Sequence, residues 1–171
     1  PRMFQLVLLK SASMVRDFGL RRAHVRNFYD TAHGADDVLS PAELAERNVM
    51  LREPDQPLEA VFFGRFVAYK GLDRAIEAVR LARAQGLDVR LTLIGEGECE
   101  ASLRQQVAAS GLQEAVRFLP PVPYGDPLFE QLRTKHVCVA APLVEDTPRA
   151  AFDAMARGLP VVAFDISYFA D

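Results

Sequence analysis

From residue 59 onward, short runs of apolar and β-branched residues alternate with longer stretches in which apolar residues recur every three or four positions. The short runs predict strands, and the longer stretches predict helices. The predicted strands are EAVFFG (59–64), DVRLTLIG (88–95), AVRFLP (115–120), HVCVAAPL (136–143) and PVVAF (160–164). The predicted helices are LDRAIEAVRLARAQG (72–86), EASLRQQVAASG (100–111), DPLFEQLRTK (126–135) and TPRAAFDAMARG (147–158).

Strands that alternate with helices of about 10–15 residues are typical of βαβ units. The runs VCVAA and PVVAF are apolar almost throughout, as expected for strands that are buried on both faces. We therefore predict an α/β fold, in which a Rossmann-like parallel sheet has helices on both faces.

The part of the chain before residue 59 is less regular. Ser40, Pro41 and Glu43 form the pattern of a capping box, which predicts a helix start within SPAELAER (40–47). Further upstream, FQLVLL suggests a strand, MVRDFGL a helix and NFYDTAHGADD a turn. The chain opens on Pro1 and stops just after a predicted core strand, which indicates a piece of a longer protein. We interpret 1–58 as a partly irregular segment that joins a missing N-terminal domain, and 59–171 as a domain truncated at its C-terminal end.

Composition narrows the classes of function. A chain of 171 residues with 50% hydrophobic residues is long enough for one domain with a core. A net charge of -3 without a basic tract argues against a nucleic-acid partner. The sequence has no apolar run near the ~20 residues of a membrane span, and its opening run is too short for a signal peptide. Peripheral membrane contact of a longer protein stays compatible with this sequence.

The cysteines favour a reducing compartment. Cys99 and Cys138 are the two cysteines of the chain, without a CxxC pair or a histidine at ligand spacing. This pattern predicts neither a disulfide framework nor a zinc site. We therefore expect reduced thiols and a cytoplasmic location.

Three loops follow strands at the edge where ligands bind in open parallel sheets. In the first, GRFVAYKG (64–71), Arg65 and Lys70 lie five positions apart between glycines. A forked donor and a point charge suit one diphosphate group. The alternative is that both are solvated loop cations.

The second loop is IGEGECE (94–100), in which Gly95 and Gly97 lie between a strand and a helix. Glycines at this position let the backbone approach a ligand closely. A plain tight turn explains the pair as well.

The third loop leads into EDTPRAAFDAMAR (145–157). Thr147 is the predicted N-cap and Pro148 the first helical residue, so free amides at the helix start suit an anion. Glu145 precedes the cap and can accept hydrogen bonds from hydroxyl groups.

Asp153 lies on the second turn of the same predicted helix. It stands four positions after Arg149 and four before Arg157. This spacing equally predicts an exposed stripe of ion pairs, so the residues alone leave both interpretations open.

The order of GRFVAYKGLDRAIEAV, LTLIGEGE, VRFLPPVP and EDTPRAAFDAMARGLPVVAFD resembles the C-terminal, donor-binding domain of retaining glycosyltransferases with the two-Rossmann GT-B architecture. The resemblance is to glycosyltransferase family four, also called glycosyl transferases group 1, and covers residues 59–171. It implies a nucleoside-diphosphate sugar as donor substrate, an acceptor bound through the missing N-terminal domain, and neither a cofactor nor a metal.

The family's signature of two glutamates with seven residues between them falls on Glu145 and Asp153. The resemblance implies that the first binds sugar hydroxyls and the second binds the ribose. It implies backbone contacts from 146–149 to the sugar and phosphates, and from 118–121 to the base. The implied catalytic residues are Arg65, Lys70 and Glu145, and the implied donor-binding residues are Gly64, Gly95, Gly97, Thr147, Pro148, Arg149 and Asp153.

Several positions depart from the family pattern. Asp153 is one methylene shorter than the usual Glu, Asp146 replaces a small residue, and Arg149 replaces an apolar one. The donor sugar is therefore left open. His136 begins a predicted strand and is interpreted as structural. His33 lies in the turn-like segment, from which it could approach the cleft, but it is not counted among the site residues.

The resulting hypothesis is the donor-binding part of a hexosyltransferase that, on its own, binds nucleotide without turnover. A sugar-nucleotide epimerase or phosphorylase of the same architecture is a second interpretation. A non-catalytic nucleotide-binding or interaction module is a third.

Overall fold

The computed structural model describes residues 6–9, 15–16, 25–28, 31–52, 56–144 and 149–165. The strands within these ranges are β1 (Val7–Leu9), β2 (Val25–Asn27), β3 (Leu58–Phe63), β4 (Val89–Ile94), β5 (Val116–Leu119), β6 (Val137–Ala140) and β7 (Val161–Ala163). The α-helices are α1 (Pro41–Met50), α2 (Leu72–Ala84), α3 (Glu100–Ala109), α4 (Asp126–Arg133) and α5 (Arg149–Ala156). Short 3-10 turns cover Ala35–Asp37 and Ala68–Lys70.

The five later strands form one parallel sheet in the order β5-β4-β3-β6-β7. The central pair is the most extensive, and β3 runs beside β4 from Leu58 opposite Val89 to Phe63 opposite Ile94. This sheet confirms the predicted α/β fold and all five predicted strands.

Helices cover the sheet on both faces because the residues of β3 alternate between two cores. Ala60 and Phe62 pack with the apolar side chains of α2 and α3. Val61 and Phe63 pack with those of α4 and α5. Each strand residue thus contributes to one core or the other, as the near-continuous apolar runs predict.

The strand order reverses direction at β3. The chain moves outward from β3 through β4 to β5, and then returns to place β6 on the other side of β3. Such a reversal leaves a crevice at the carboxyl ends of the strands, because the loops on its two sides diverge. The fold therefore favours a ligand site beside the loops that follow β3 and its neighbours.

Helix α1 begins with the predicted capping box. The Ser40 hydroxyl accepts a hydrogen bond from the Glu43 amide at 3.3 Å, and the Glu43 carboxylate accepts one from the Ser40 amide at 2.8 Å. The helix continues beyond the predicted segment to Met50. Its start is tied to α5, since the Leu39 amide donates to the Ala156 carbonyl at 2.9 Å.

A separate pair of parallel strands, β1 and β2, lies upstream. Strand β1 falls within FQLVLL, as predicted, whereas the three-residue β2 is not evident from the sequence pattern. The helix predicted around MVRDFGL falls mostly outside the described residues.

Candidate functional site

A cavity of about 380 Å³ opens at the carboxyl ends of β3, β4 and β5. It brings together five of the predicted site residues, namely Gly64, Arg65, Gly95, Arg149 and Asp153. Other residues around it include Ala32, Phe63, Glu96, Pro121, Val122, Tyr124 and Ala150. The cavity lies where the reversal of strand order predicts a ligand site.

The loops after β3 and β4 form one wall of this cavity by packing backbone against backbone. The Gly64 amide donates to the Ile94 carbonyl at 2.9 Å, and the Phe66 amide donates to the Glu96 carbonyl at 2.7 Å. A side-chain carbon at Gly95 would collide with the Gly64 carbonyl oxygen. Gly95 is therefore required for the contact between the two loops.

Gly97 has a similar packing role farther along the loop. A side-chain carbon there would collide with the backbone of Phe66, whose carbonyl accepts a hydrogen bond from the Cys99 amide at 3.0 Å. The glycine pair thus allows the loops after β3 and β4 to approach each other closely. Contact of Gly97 with a nucleotide stays a prediction.

Lys70 lines a smaller cavity of about 40 Å³ between β3 and β6. Phe63 and Ala150 border both this space and the larger cavity. Arg65 and Lys70 therefore line two cavities that share Phe63 and Ala150. The Lys70 Nζ atom is 5.2 Å from the centroid of the Tyr69 ring.

The loop that carries Lys70 is fixed against the loop after β6. A side-chain carbon at Gly71 would collide with the Ala141 carbonyl oxygen, and the Leu143 amide donates to the Tyr69 carbonyl at 2.8 Å. This contact ends β6 earlier than the predicted strand, at Ala140. Glu145, Thr147 and Pro148 lie outside the described residues, so their assigned roles stay predictions.

Asp153 is buried at the inner face of α5, with 5% of its surface exposed. Its Oδ1 atom accepts hydrogen bonds from the Ala32 amide at 3.3 Å, the His33 amide at 3.2 Å and His33 Nδ1 at 2.9 Å. The interpretation of Asp153 as part of an exposed ion-pair stripe is therefore wrong. Helix α5 orients the Asp153 side chain toward the segment before α1. The spacing of Asp153 from the neighbouring arginines does not indicate this orientation.

Arg157, one of the two arginines proposed for that stripe, is engaged elsewhere. Its guanidinium lies 4.4 Å from the centroid of the Phe129 ring, and its Nη1 donates to the Asp37 carbonyl at 2.8 Å. These contacts tie the end of α5 to α4 and to the segment before α1.

His33 lies beside the cavity, although it is not itself among the residues that line it. His33 bonds the buried carboxylate of Asp153, and its neighbour Ala32 lines the cavity. The two partners are 120 positions apart in the sequence, so no local pattern joins them. His136 has the structural role expected of it, because its Nδ1 accepts a hydrogen bond from the Glu59 amide at 3.0 Å.

The loop after β5 meets the cavity through its later residues. Pro121 lines the cavity, whereas the Phe118 ring packs 6.2 Å from the ring of Phe66, and the guanidinium of Arg104 lies 4.3 Å from the Phe118 centroid. Of the segment 118–121 that the resemblance links to the base, only the Pro121 end is among the residues that line the cavity.

Tyr124 is a cavity residue that the sequence interpretation missed. Its ring meets Phe129 edge to face with 5.5 Å between centroids, yet 43% of the residue stays exposed. Partial burial, followed by the negative charges of Asp153 and Asp37, raises the pKa of Tyr124 above its usual value. The phenol is therefore a neutral aromatic wall of the cavity at neutral pH.

Within 31–52, 56–144, 149–165 and the shorter described stretches, no three His, Cys, Asp or Glu side chains are grouped so as to hold a metal ion. None of the helices described there is long and apolar enough to cross a membrane.

The chain has relatives among bacterial glycosyltransferases. It is 33% identical over 127 residues to the amylovoran biosynthesis glycosyltransferase AmsK of Erwinia amylovora, which covers 70% of this chain and 31% of AmsK. It is 25% identical over 162 residues to the poly(glycerol-phosphate) alpha-glucosyltransferase of Bacillus subtilis (strain 168), which covers 95% of this chain and 23% of that protein. The chain thus spans less than a third of the length of these two relatives.

Solved structures share the fold. The Anabaena protein HepE in complex with UDP aligns with a TM-score of 0.69 at 21% identity, over 95% of this chain and 45% of HepE. WaaG, a glycosyltransferase involved in lipopolysaccharide biosynthesis, aligns with a TM-score of 0.69 at 16% identity, over 95% of this chain and 45% of WaaG. At these identities the likeness concerns the fold alone.

The family itself is established by a match that covers most of the chain. Residues 46–171 match the family model described as glycosyl transferases group 1, which confirms the resemblance and extends it upstream of residue 59. The protein therefore belongs to the glycosyl transferases group 1 family and forms a Rossmann-like domain of the GT-B architecture.

Proposed function

We propose that this chain is the donor-binding domain of a retaining glycosyltransferase, which transfers a hexose from a nucleoside-diphosphate sugar to an acceptor held by another domain. The observation that carries the proposal is the 380 Å³ cavity at the carboxyl ends of β3, β4 and β5. It combines two arginines, close-packed glycine loops, a helix start and a buried carboxylate within one space. A nucleotide sugar presents phosphates, hydroxyl groups and an aromatic base, and each has a suitable counterpart there.

The diphosphate binds between Arg65 and Lys70 in this proposal. Arg65 lines the larger cavity and Lys70 the adjoining one, so the two side chains approach a bound diphosphate from different directions. The first turn of α5 borders both cavities at Ala150, and its dipole adds positive potential. As the glycosidic bond breaks, this charge stabilises the departing nucleoside diphosphate.

The nucleoside occupies the other side of the cavity. Asp153 accepts hydrogen bonds from the ribose hydroxyls, and the base lies against the apolar surface of Pro121, Val122 and Tyr124. The sugar extends toward Glu145, whose carboxylate accepts hydrogen bonds from its hydroxyl groups. UDP is the first nucleotide to test, because HepE shares this fold and was crystallised with UDP.

Isothermal titration calorimetry of the chain with UDP, GDP and ADP tests the proposal. We expect at least one nucleotide to bind, and expect Arg65→Ala and Lys70→Ala each to weaken that binding roughly 10-fold or more, because each removes a charge-assisted contact to phosphate. Arg74→Ala is the matched control, since Arg74 is exposed on α2 and paired with Asp73 at 3.3 Å.

The control variant should bind like the unaltered chain. Failure of all three nucleotides to bind at millimolar concentration would contradict the proposal. Equal affinities for the unaltered chain, Arg65→Ala and Lys70→Ala would contradict the phosphate assignment.

A further inference from the structure

Three hydrogen-bond donors converge on one oxygen of the Asp153 carboxylate. The amides of Ala32 and His33 and the His33 Nδ1 atom all meet Oδ1, at 3.3, 3.2 and 2.9 Å. Because a carboxylate can only accept, His33 must carry its proton on Nδ1 in this contact. The segment before α1 therefore holds Asp153 from one side.

The second oxygen of Asp153 is left for another partner. Every hydrogen bond that the structure gives this carboxylate, within the described residues, is made by Oδ1. Asp153 also lines the 380 Å³ cavity, although only 5% of the residue is exposed. A carboxylate that is nearly buried and bound through one oxygen is suited to accept a hydrogen bond from a ligand through the other.

The segment that carries His33 is itself held in place. The Gly34 amide donates to the Asp37 carboxylate at 2.8 Å, and the Asp37 carbonyl accepts from Arg157 Nη1 at 2.8 Å. Arg157 follows directly after α5, so both ends of this chain of contacts return to the helix that carries Asp153. Such mutual support fixes the orientation of a side chain better than packing alone.

We propose that His33 is a positioning residue of the ribose subsite. It binds Oδ1 of Asp153 and so directs Oδ2 to accept a hydrogen bond from a ribose hydroxyl of the bound nucleoside diphosphate. The inference rests on the proposed function, which it deepens by adding the segment before α1 to the donor site. It also explains how an Asp serves where the family pattern has the longer Glu: the carboxylate is held by partners from outside its own helix.

The experiment measures discrimination between ribose and deoxyribose. Calorimetry compares UDP with 2′-deoxy-UDP and 3′-deoxy-UDP, or the corresponding GDP set if GDP is the nucleotide that binds. The variants are His33→Ala, which removes the donor, and His33→Asn, whose amide replaces Nδ1. Thr31→Ala on the same segment is the control, because Thr31 is exposed and does not line the cavity.

We expect His33→Ala to raise the Kd for the ribonucleotide roughly 5- to 20-fold, which corresponds to partial loss of one charge-assisted hydrogen bond. The deoxy analogue that lacks the hydroxyl bound by Asp153 should bind the unaltered chain and His33→Ala about equally. His33→Asn should restore most of the discrimination, and Thr31→Ala should leave it unchanged.

Two results would overturn the inference while leaving the proposed function intact. One is an unchanged ribonucleotide Kd in His33→Ala. The other is an equal loss for the ribonucleotide and both deoxy analogues, which would indicate general loosening of the cavity. Absence of nucleotide binding by the unaltered chain, with its far-ultraviolet circular dichroism intact, would instead overturn both proposals together.

Discussion

A buried carboxylate needs donors, and Asp153 obtains them from a distant part of the chain. At 5% exposure, an unsatisfied carboxylate would lower stability by several kcal/mol. The donors come from Ala32 and His33, which lie far upstream of α5. Burial and orientation of this side chain are therefore properties of the tertiary fold.

Cys138 provides a residue-scale prediction about the core. Burial raises the pKa of the Cys138 thiol to about 12, and only 2% of the residue is exposed. The reactive thiolate is consequently scarce and shielded at pH 8. We expect a thiol reagent to label the half-buried Cys99 while Cys138 stays unmodified, as read by mass spectrometry of peptides.

Labelling in denaturant is the control for Cys138, and both thiols should then react. Modification of Cys138 at the same rate as Cys99 in the folded chain would contradict the position of β6 in the sheet.

At the scale of residues, the sequence indicates which residues line the cavity better than it indicates which residues they contact. Arg65, Gly95 and Asp153 line the cavity as the motif positions predict. The partners of Asp153 were not predictable, because the irregular sequence around His33 does not indicate which part of the fold its side chain contacts. Tyr124 was missed for the same reason, because its side chain lies in the cavity only after α4 packs on the sheet.

At the scale of elements, the loops after β3 and β4 act as one unit. Four backbone groups join them through the Gly64–Ile94 and Phe66–Glu96 hydrogen bonds, and Gly95 lets the two chains touch. The Arg65 side chain emerges from this paired structure. The shape of the cavity wall that carries Arg65 thus depends on backbone packing.

Gly95→Ala should expose this dependence. A side chain at this position collides with the Gly64 carbonyl and is held at a φ of 144° that side chains rarely adopt. We expect a loss of roughly 3 kcal/mol or more in the free energy of unfolding, measured by urea denaturation. Gly111→Ala is the matched control, since Gly111 has a φ of 67° but nothing within 4 Å.

The free energy of unfolding of Gly111→Ala should fall by only about 1 kcal/mol, which is the cost of the left-handed backbone alone. Similar losses for Gly95→Ala and Gly111→Ala would show that the two loops do not depend on close contact.

Most elements were predictable because their patterns are local. The apolar runs predict all five strands of the main sheet, and the capping box predicts the start of α1. Strand β2 was not predictable, because its sequence, VRN, contains a single apolar residue and so forms no apolar run. The end of β6 was misjudged because the contact between Leu143 and Tyr69 turns the chain away from the sheet.

For the whole molecule, the reversal of strand order at β3 places the site. The parallel direction of the strands brings the loops after β3, β4 and β5 to one edge, and the first turns of α5, the helix that follows β6 across the reversal, close the space beside them. The parallel topology follows from the alternation of strands and helices, so the location of the site was predictable from the sequence. The contribution of the segment before α1 was not, since its pattern is irregular.

The structure also contains a competing cavity. A space of about 520 Å³ lies among α1, α4 and the end of α5, and is lined by residues that include Arg47, Glu130 and Arg133. It mixes acidic with basic side chains and lies apart from the glycine loops. A nucleotide that bound there would leave the loops after β3 and β4 undisturbed.

The proposed function is therefore tested most directly by locating the residues at which a nucleotide binds. Nuclear magnetic resonance of the ¹⁵N-labelled chain, titrated with UDP or GDP, reports this residue by residue. We expect saturable shifts of the amides of Gly64, Gly95, Val122 and Ala150, which all line the cavity. Unchanged signals at these positions, with shifts confined to the cavity around Arg47, would contradict the proposed function.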